Sequence, residues 1–360
     1  METVFHQSGA AYITGLIRDA VARGVGTVTV NGNYEIEEAV LIPSGITLIL
    51  ENCHLRMKDG TFDNMFRNQG ARDDGTGTRE MRDYDIHIIG RGRAILDGGE
   101  YNGLSETVAK EPGRPLMTVN NVIHFSNVER FSVEGLHIRN MRWWALCFHY
   151  CAKGILRDLD FLADCTRITE DGTRVEGLLK EKYAQTYVKN ADGIDLRVGC
   201  HDFLIENITG FTEDDTVALT ALPMGRIAKC FGVKGESPDI RNVMIRNVCS
   251  ASFCANVRLL NQGGAKLYNI LIDGVFDTSA DSPCLDRGGT GVRIGDLHLY
   301  GDRHSTKDET FNITVRNVYS RAQRAMRICG QMTNCTFENI CGFDGCDGSI
   351  EDHSEQFQTR

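Results

Sequence analysis

The sequence predicts an all-β chain wound as a right-handed parallel β-helix, closed at its start by a helix. The first observation is a recurring strand-like pattern, seen in VERFSVEGLHIRN (128–140), KGILRDLDFLAD (153–164), CHDFLIENITGF (200–211), PDIRNVMIRNVCS (238–250), KLYNILIDGVFD (266–277), ETFNITVRNVYS (309–320) and MTNCTFENICG (332–342). The second is its spacing. From Phe131 through Ile155, Phe203, Val243, Ile270 and Ile313 to Cys335, equivalent apolar positions recur at one or two units of a period in the low twenties, with loops inserted. Periodicity on that scale marks a solenoid, whose repeats bury their apolar faces against one another. The third is composition: 38 Gly against 6 Pro, with Asn recurring at the pattern breaks, suits tight corners that need φ > 0.

Element by element, residues 1–25 form the cap, 26–345 the coils and 346–360 a C-terminal tail of one continuous domain. An open solenoid end needs a cover. Within SGAAYITGLIRDAVARG (8–24), Ser8 is placed to cap a helix, and Ile13, Leu16, Ile17, Ala20 and Val21 follow helical spacing until Gly24 ends it. Strands follow in TVTVNG (27–32) and AVLIPSGITLIL (39–50). Asn140, Asn207, Asn247, Asn317 and Asn339 read as corner residues. The aperiodic polar stretches 60–83, 97–115, 165–190 and 279–310 read as long loops, and 165–190 as the wall of a cleft.

Composition removes several function classes. A net charge of −10 disfavours a nucleic-acid partner, because a phosphate backbone demands a basic face. No apolar run reaches the ~18 residues of a membrane span, and the start lacks a secretion pattern, so a cytoplasmic location is expected. The 13 cysteines are odd in number and lack a Cys-x-x-Cys pair, so they read as small buried thiols, with neither a metal site nor a cofactor expected. The sequence carries no signal of oligomeric state.

Chemistry concentrates at two places. Asn190-Ala191-Asp192-Gly193-Ile194-Asp195 is followed by Glu213-Asp214-Asp215-Thr216, and Asp192 and Asp214 stand one coil period apart. Stacking brings such carboxylates onto one face. Crowded like charges raise one another's pKa, which sets a proton donor beside an acceptor, as glycoside hydrolysis requires. On a straight strand, Asp214 and Asp215 would face opposite ways, so a backbone bend is expected there. Trp144, next to Trp143, offers a stacking platform for a sugar ring, one of the two facing the core by alternation. His149 is two positions beyond Cys147 and so on the same side, either lining the cleft or satisfied structurally.

These motifs resemble those of the polygalacturonases, glycoside hydrolase family 28, in the wider pectin-lyase-like β-helix group. Asn190-x-Asp192-Gly193-Ile194-Asp195 is similar to the family's Asn-Thr-Asp-Gly-Ile-Asp, and Asp214 through Leu219 to its Gly-Asp-Asp-Cys-Ile-Ala segment. Ala94 through Gly99, Arg114-Pro115, and Asn140 through Trp144, Leu146 and Cys151 keep its order. The resemblance spans roughly residues 10–340 at motif level. It implies an inverting hydrolase acting on a pectic or related oligosaccharide, with Asp214 as general acid and Asp192 and Asp215 activating water. It also implies that Arg258 clamps the substrate, with a surface salt bridge as the plainer role for that residue. His149, Trp144 and Glu213 are further expected substrate contacts.

The departures are specific. No His stands in LPMGRIAKCFGVKGES (222–237), where the family has Gly-His-Gly. Leu260 replaces a Lys, and Glu213 replaces the Gly before the Asp pair. Two alternatives therefore stand beside hydrolysis. One is a calcium-dependent lyase in which the same carboxylates hold the ion and Arg258 removes a proton. The other is a carbohydrate-binding β-helix without catalysis.

Overall fold

The structure, a computed structural model, describes residues 3–100, 121–141, 143–163, 167–168, 173–175, 192–282, 285–296, 303 and 305–357. Among the described residues, two long parallel sheets of twelve and ten strands run side by side, and each coil contributes to both. The first sheet carries the long strands, among them Ala152–Leu162, His201–Thr212, Ile240–Ser252, Leu267–Asp277 and Thr310–Ser320. The second carries shorter ones, including Ile123–Ser126, Trp144–His149, Asp192–Leu196, Val217–Ala221, Ala255–Asn261, Thr290–Gly295 and Arg324–Cys329. This is the expected parallel β-helix. One continuous apolar core runs between the sheets, from Ile13 of the cap to Ile328.

Register follows the sequence period closely. Phe131, Gly154, Phe203, Val243, Ile270 and Ile313 pair in succession across the first sheet. Ile155 departs from the expected pattern: it is 37% exposed, and Gly154 takes the core position. A Cβ on Gly154 would meet the Phe131 and Phe203 rings at 2.6 Å each. The two aromatic residues fill the space a side chain would need, so the alternation skips one position.

The corner asparagines form ladders. Asn269 Nδ2 donates to Asn242 Oδ1 (3.0 Å), Asn312 Nδ2 to Asn269 Oδ1 (3.1 Å), and Asn242 Nδ2 to Asp202 Oδ1 (2.7 Å). A second ladder joins Asn247 to Asn207 and Asn207 to Asp158, and Asn339 to Asn317. All of these residues sit in the left-handed region, with φ between 52° and 61°. Asn and Asp tolerate that region, and their side chains satisfy the next coil at the same time. Asn140 shares the conformation, at φ 48°.

The cap helix spans Gly9–Ala22 and buries Ala10, Ile13, Ile17 and Ala20. Two expectations are corrected there. Ser8 makes no side-chain cap bond and sits at φ 61°; its carbonyl instead accepts Tyr12 N–H at 3.1 Å. Val21 is 53% exposed, because the apolar stripe is one residue narrower than its spacing suggested. Gly24, at φ 66°, ends the helix as expected.

Three further differences concern the loops and the tail. Stretch 60–83 holds the second-sheet strand Phe66–Asn68, and 279–310 holds Thr290–Gly295. Ile350–Asp352, expected within a tail, adds the last strand beside Arg324–Cys329. Of 165–190, the short antiparallel pair Arg167–Ile168 and Arg174–Val175 is described, and the expected cleft wall lies otherwise outside the described residues. The same holds for Arg114-Pro115 and Asn190-Ala191. The eleven described cysteines are free thiols, Cys53, Cys147, Cys151, Cys200 and Cys329 being buried.

Candidate active site

The second sheet aligns one residue per coil just outside its core-facing positions. Arg67, His124, Cys147, Asp195, Ala218, Arg258, Arg293 and Arg327 follow one another in register, coil by coil. None belongs to the core, whereas Ile123, Leu146, Ile194, Val217, Val257 and Val292, each one position earlier, all do.

The carboxylates gather in the middle of this row because the strands are kinked at their starts. A Cβ on Gly193 would point at the Thr216 carbonyl (2.6 Å) and the Phe161 ring (3.4 Å), so Gly193 and Ile194 both turn inward. Asp192 and Asp195 therefore emerge on the same outer side, where strict alternation would separate them. One coil on, Thr216 and Val217 repeat the double inward step. Thr216 Oγ1 bonds Thr212 Oγ1 (3.1 Å) and Ser250 Oγ (3.0 Å), and Val217 joins the core.

The bend anticipated at the Asp pair is present. The strand ends at Thr212, the next begins at Val217, and the backbone bends at Glu213 and Asp214. The Asp214 carbonyl is held by Thr212 Oγ1 and Ser252 Oγ, both at 2.8 Å, and Asp215 N–H donates to Asp214 Oδ1 at 3.1 Å. A carboxylate oxygen of Asp214, one of Asp215 and Cys254 Sγ lie within 4.8 Å of one another. Gly193 N–H donates to the Asp215 carbonyl at 3.0 Å, which places Asp192 on the neighbouring coil beside this pair.

Burial and crowding set the proton affinities. Burial, then repulsion from Asp195, Asp214 and Asp215, pushes the Asp192 carboxyl well above its usual range. Asp214 rises to about 7, from burial first and the Asp215 charge second, with Arg258 and the Cys254 thiol pulling the other way. Asp195 also rises to about 7 through burial, moderated by Arg197, whose Nη1 donates to its Oδ1 at 3.3 Å.

The cations on the row fix the acids. Arg258 Nη1 donates to Asp215 Oδ2 at 3.2 Å, and its Nη2 to Asp296 Oδ2, while Arg293 Nη2 donates to Asp296 Oδ1 at 2.8 Å. The sequence pointed to Arg258 but not to Asp296, Arg293, Arg197 or Asp195 as members of this cluster. Asp195 had one signal, the motif it shares with Asp192. Arg197 stands two residues beyond Asp195, whereas Arg293 and Asp296 become neighbours of Arg258 only through coil register.

The expected substrate contacts divide. Asp192, Asp214, Asp215 and Arg258 come together. Arg258 is buried and committed to two carboxylates, so it is neither an open substrate clamp nor a surface salt bridge. Glu213 is fully buried at the bend, which removes its carboxylate from the surface. His149 is 1% exposed with the Phe231 ring stacked on it at 4.2 Å, so it offers no face to a sugar. Trp144 keeps partial exposure, but the Arg197 guanidinium lies 4.1 Å from its ring centre. Trp143 does not enter the core either; it packs with Phe231 outside the second sheet.

Ala94 through Gly99 proves structural. Burial alone would raise the Asp97 carboxyl, but bonds from His54, the Gly99 N–H and Asn140 hold it below its usual range. Segment 222–237, where the resembled family has its His, forms the short helix Arg226–Cys230, and Phe231 then lies over the second sheet.

No protein-family model and no curated protein matches the chain. Solved structures do. A mutant tailspike protein of E. coli bacteriophage HK620, in complex with a pentasaccharide, superposes with a TM-score of 0.56 at 13% identity over 98% of this chain and 62% of its own. A hyperthermoactive exopolygalacturonase from Thermotoga maritima gives 0.53 at 15% identity over 91% of this chain and 84% of its own. Another mutant of the phage tailspike gives 0.54 at 12% identity, with 94% of this chain covered but 53% of the tailspike, so the chain spans about half that protein's length. At these identities the likeness is one of fold, and this chain shares the parallel β-helix of those proteins.

Proposed function

We propose that the chain is a glycoside hydrolase of the polygalacturonase type, cleaving a glycosidic bond in a pectic or related uronate-containing oligosaccharide by carboxylate acid/base chemistry. One observation carries the reading: Asp214, partly exposed and with its pKa raised to about 7, sits directly beside Asp215, which is ion-paired to Arg258. A protonated donor next to an ionic acceptor is what glycosidic cleavage needs. Asp214 is the general acid. Asp215 and Asp192 act on the other side of the bond, and Arg258 is a positioning residue that holds Asp215. The presence of an exopolygalacturonase and a pentasaccharide-bound tailspike among the structural neighbours supports a carbohydrate substrate.

The spacing bears on stereochemistry. Inverting pairs stand about 6.5–9.5 Å apart and retaining pairs about 5–5.5 Å apart. The Asp214–Asp215 oxygens, within 4.8 Å, fall below the inverting range. Inversion therefore needs Asp192 as the base, whereas Asp215 acting alone would give retention.

A second reading rests on a specific observation: Asp192 and Asp215 are 7% and 1% exposed. A buried acid cluster suits a carbohydrate-binding β-helix whose carboxylates no longer reach substrate. The lyase reading loses ground, because its base, Arg258, is already bound to two carboxylates. Incubation with a panel of pectic oligosaccharides, with the products followed by NMR, tests the proposal. Turnover that Asp214→Asn abolishes supports it. Binding without turnover across the panel favours the second reading.

A further inference from the structure

Outside the acid cluster, the same row of the second sheet brings His124, Cys147 and His149 together, although no metal-ligand spacing joins them in sequence. His124 pairs with Cys147 across one coil step, and His149 lies two residues beyond Cys147 on the same side. One ligand atom from each lies within 4.8 Å of the others, and Cys147 Sγ is 3.7 Å from His149 Nδ1. All three residues are buried, at 1%, 0% and 1% exposure.

Their hydrogen bonding is incomplete. Among the described residues, neither ring nitrogen of His124 has a partner, and neither has Nε2 of His149. A buried polar atom without a partner is destabilising, and native structures hold few of them. Phe231 seals the group, edge-on to His124 at 4.7 Å and stacked on His149 at 4.2 Å, so the rings cannot turn out to solvent. Around the group, Arg67 is paired with Asp63 at 3.0 Å and Arg197 with Asp195 at 3.3 Å, which weakens the field of both positive charges at the rings.

We propose that His124, Cys147 and His149 form a binding site for a zinc-type ion that clamps the strand Ile123–Ser126 to the strand Trp144–His149. Two imidazoles and a thiolate are a donor set zinc favours, and with Zn–N of about 2.0 Å and Zn–S of about 2.3 Å tetrahedral donors lie about 3.3–3.6 Å apart. The Cys147–His149 separation, 3.7 Å, lies just outside that range. His124 supplies the third donor, with a ring nitrogen within 4.8 Å of the other two. The ion would take one lone pair from each ring and convert the Cys147 thiol to thiolate, releasing its proton.

The test uses the full chain expressed in zinc-supplemented medium and desalted. Elemental analysis is expected to find about one zinc per chain. Chain stripped with chelator and refilled with Co2+ is expected to gain a near-ultraviolet thiolate-to-cobalt charge-transfer band. Cys147→Ser and His124→Gln should each lose that band, whereas Cys254→Ser, which removes the thiol beside Asp214, should keep it. Wild-type chain with neither bound zinc nor a cobalt band overturns the proposal. So does a band that survives Cys147→Ser or disappears with Cys254→Ser. Circular dichroism checks that each variant is folded; should the variants unfold, the wild-type zinc content and cobalt spectrum decide.

Discussion

Arg258 reaches back one coil to Asp215, Nη1 to Oδ2 at 3.2 Å, from a position far along the sequence. Its other nitrogen holds Asp296 on the following coil. One buried guanidinium thus ties three consecutive windings at the acid cluster. Arg258→Ala leaves Asp215 buried without its cation and is expected to cost about 3–5 kcal/mol, read as a fall in denaturation midpoint. It also removes a charge that lowers the Asp214 pKa, so any surviving activity should persist to higher pH than in wild type.

Asp214→Asn should lower turnover on an accepted oligosaccharide by about 100- to 10,000-fold, the usual worth of a positioned general acid. The fold should be unchanged by circular dichroism. Retained turnover would remove Asp214 from the chemistry.

Stability should depend on pH through the same group. Asp214 ionises near 3.8 when unfolded and at about 7 when folded, so between those values the folded chain binds more protons. Its contribution is whole below 3.8 and is lost as pH rises through about 7. Wild-type melting temperature is expected to fall across that window. Asp214→Asn should flatten the fall and melt higher than wild type at a pH above it.

Gly154→Ala inserts a methyl against two rings, Phe131 and Phe203, in an otherwise full core. Overpacking of this kind costs about 1–3 kcal/mol. Calorimetry should find a lower melting temperature, and Phe203→Leu in the same chain should recover part of it by making room.

Asn269→Ala breaks two rungs of a ladder and puts a Cβ-bearing residue without a polar group at φ 55°. About 1–2 kcal/mol is expected from the backbone alone, with the lost bonds in addition. Asn269→Gly should recover the backbone part only, so urea midpoints should rank wild type, then Gly, then Ala.

The first sheet was legible in the sequence because its strands are long and alternate throughout, and Phe131 through Cys335 marked all but one coil correctly. The second sheet was hidden. Its strands are short, and TGVRIG or DGIDL carry an inward double step where alternation should be, so Thr290–Gly295 has the look of loop. The acid trio could be found because the spacing between its two motifs equals one coil. Asp296 and Arg293 could not, since only register brings them beside Arg258. The sequence leaves His149 open between cleft and structure for a related reason: the residue that covers it, Phe231, is far along the chain and belongs to a segment that resembles connecting loop.

The paired strands meet in register although successive windings differ more than twofold in length, as Thr314 to Thr336 and Gly154 to Phe203 illustrate. Rungs at the corners, rather than chain length, keep each turn in phase with the last. Material can therefore be spliced in or cut out between turns without displacing the acids, and the rim around them is free to vary while the axle stays fixed.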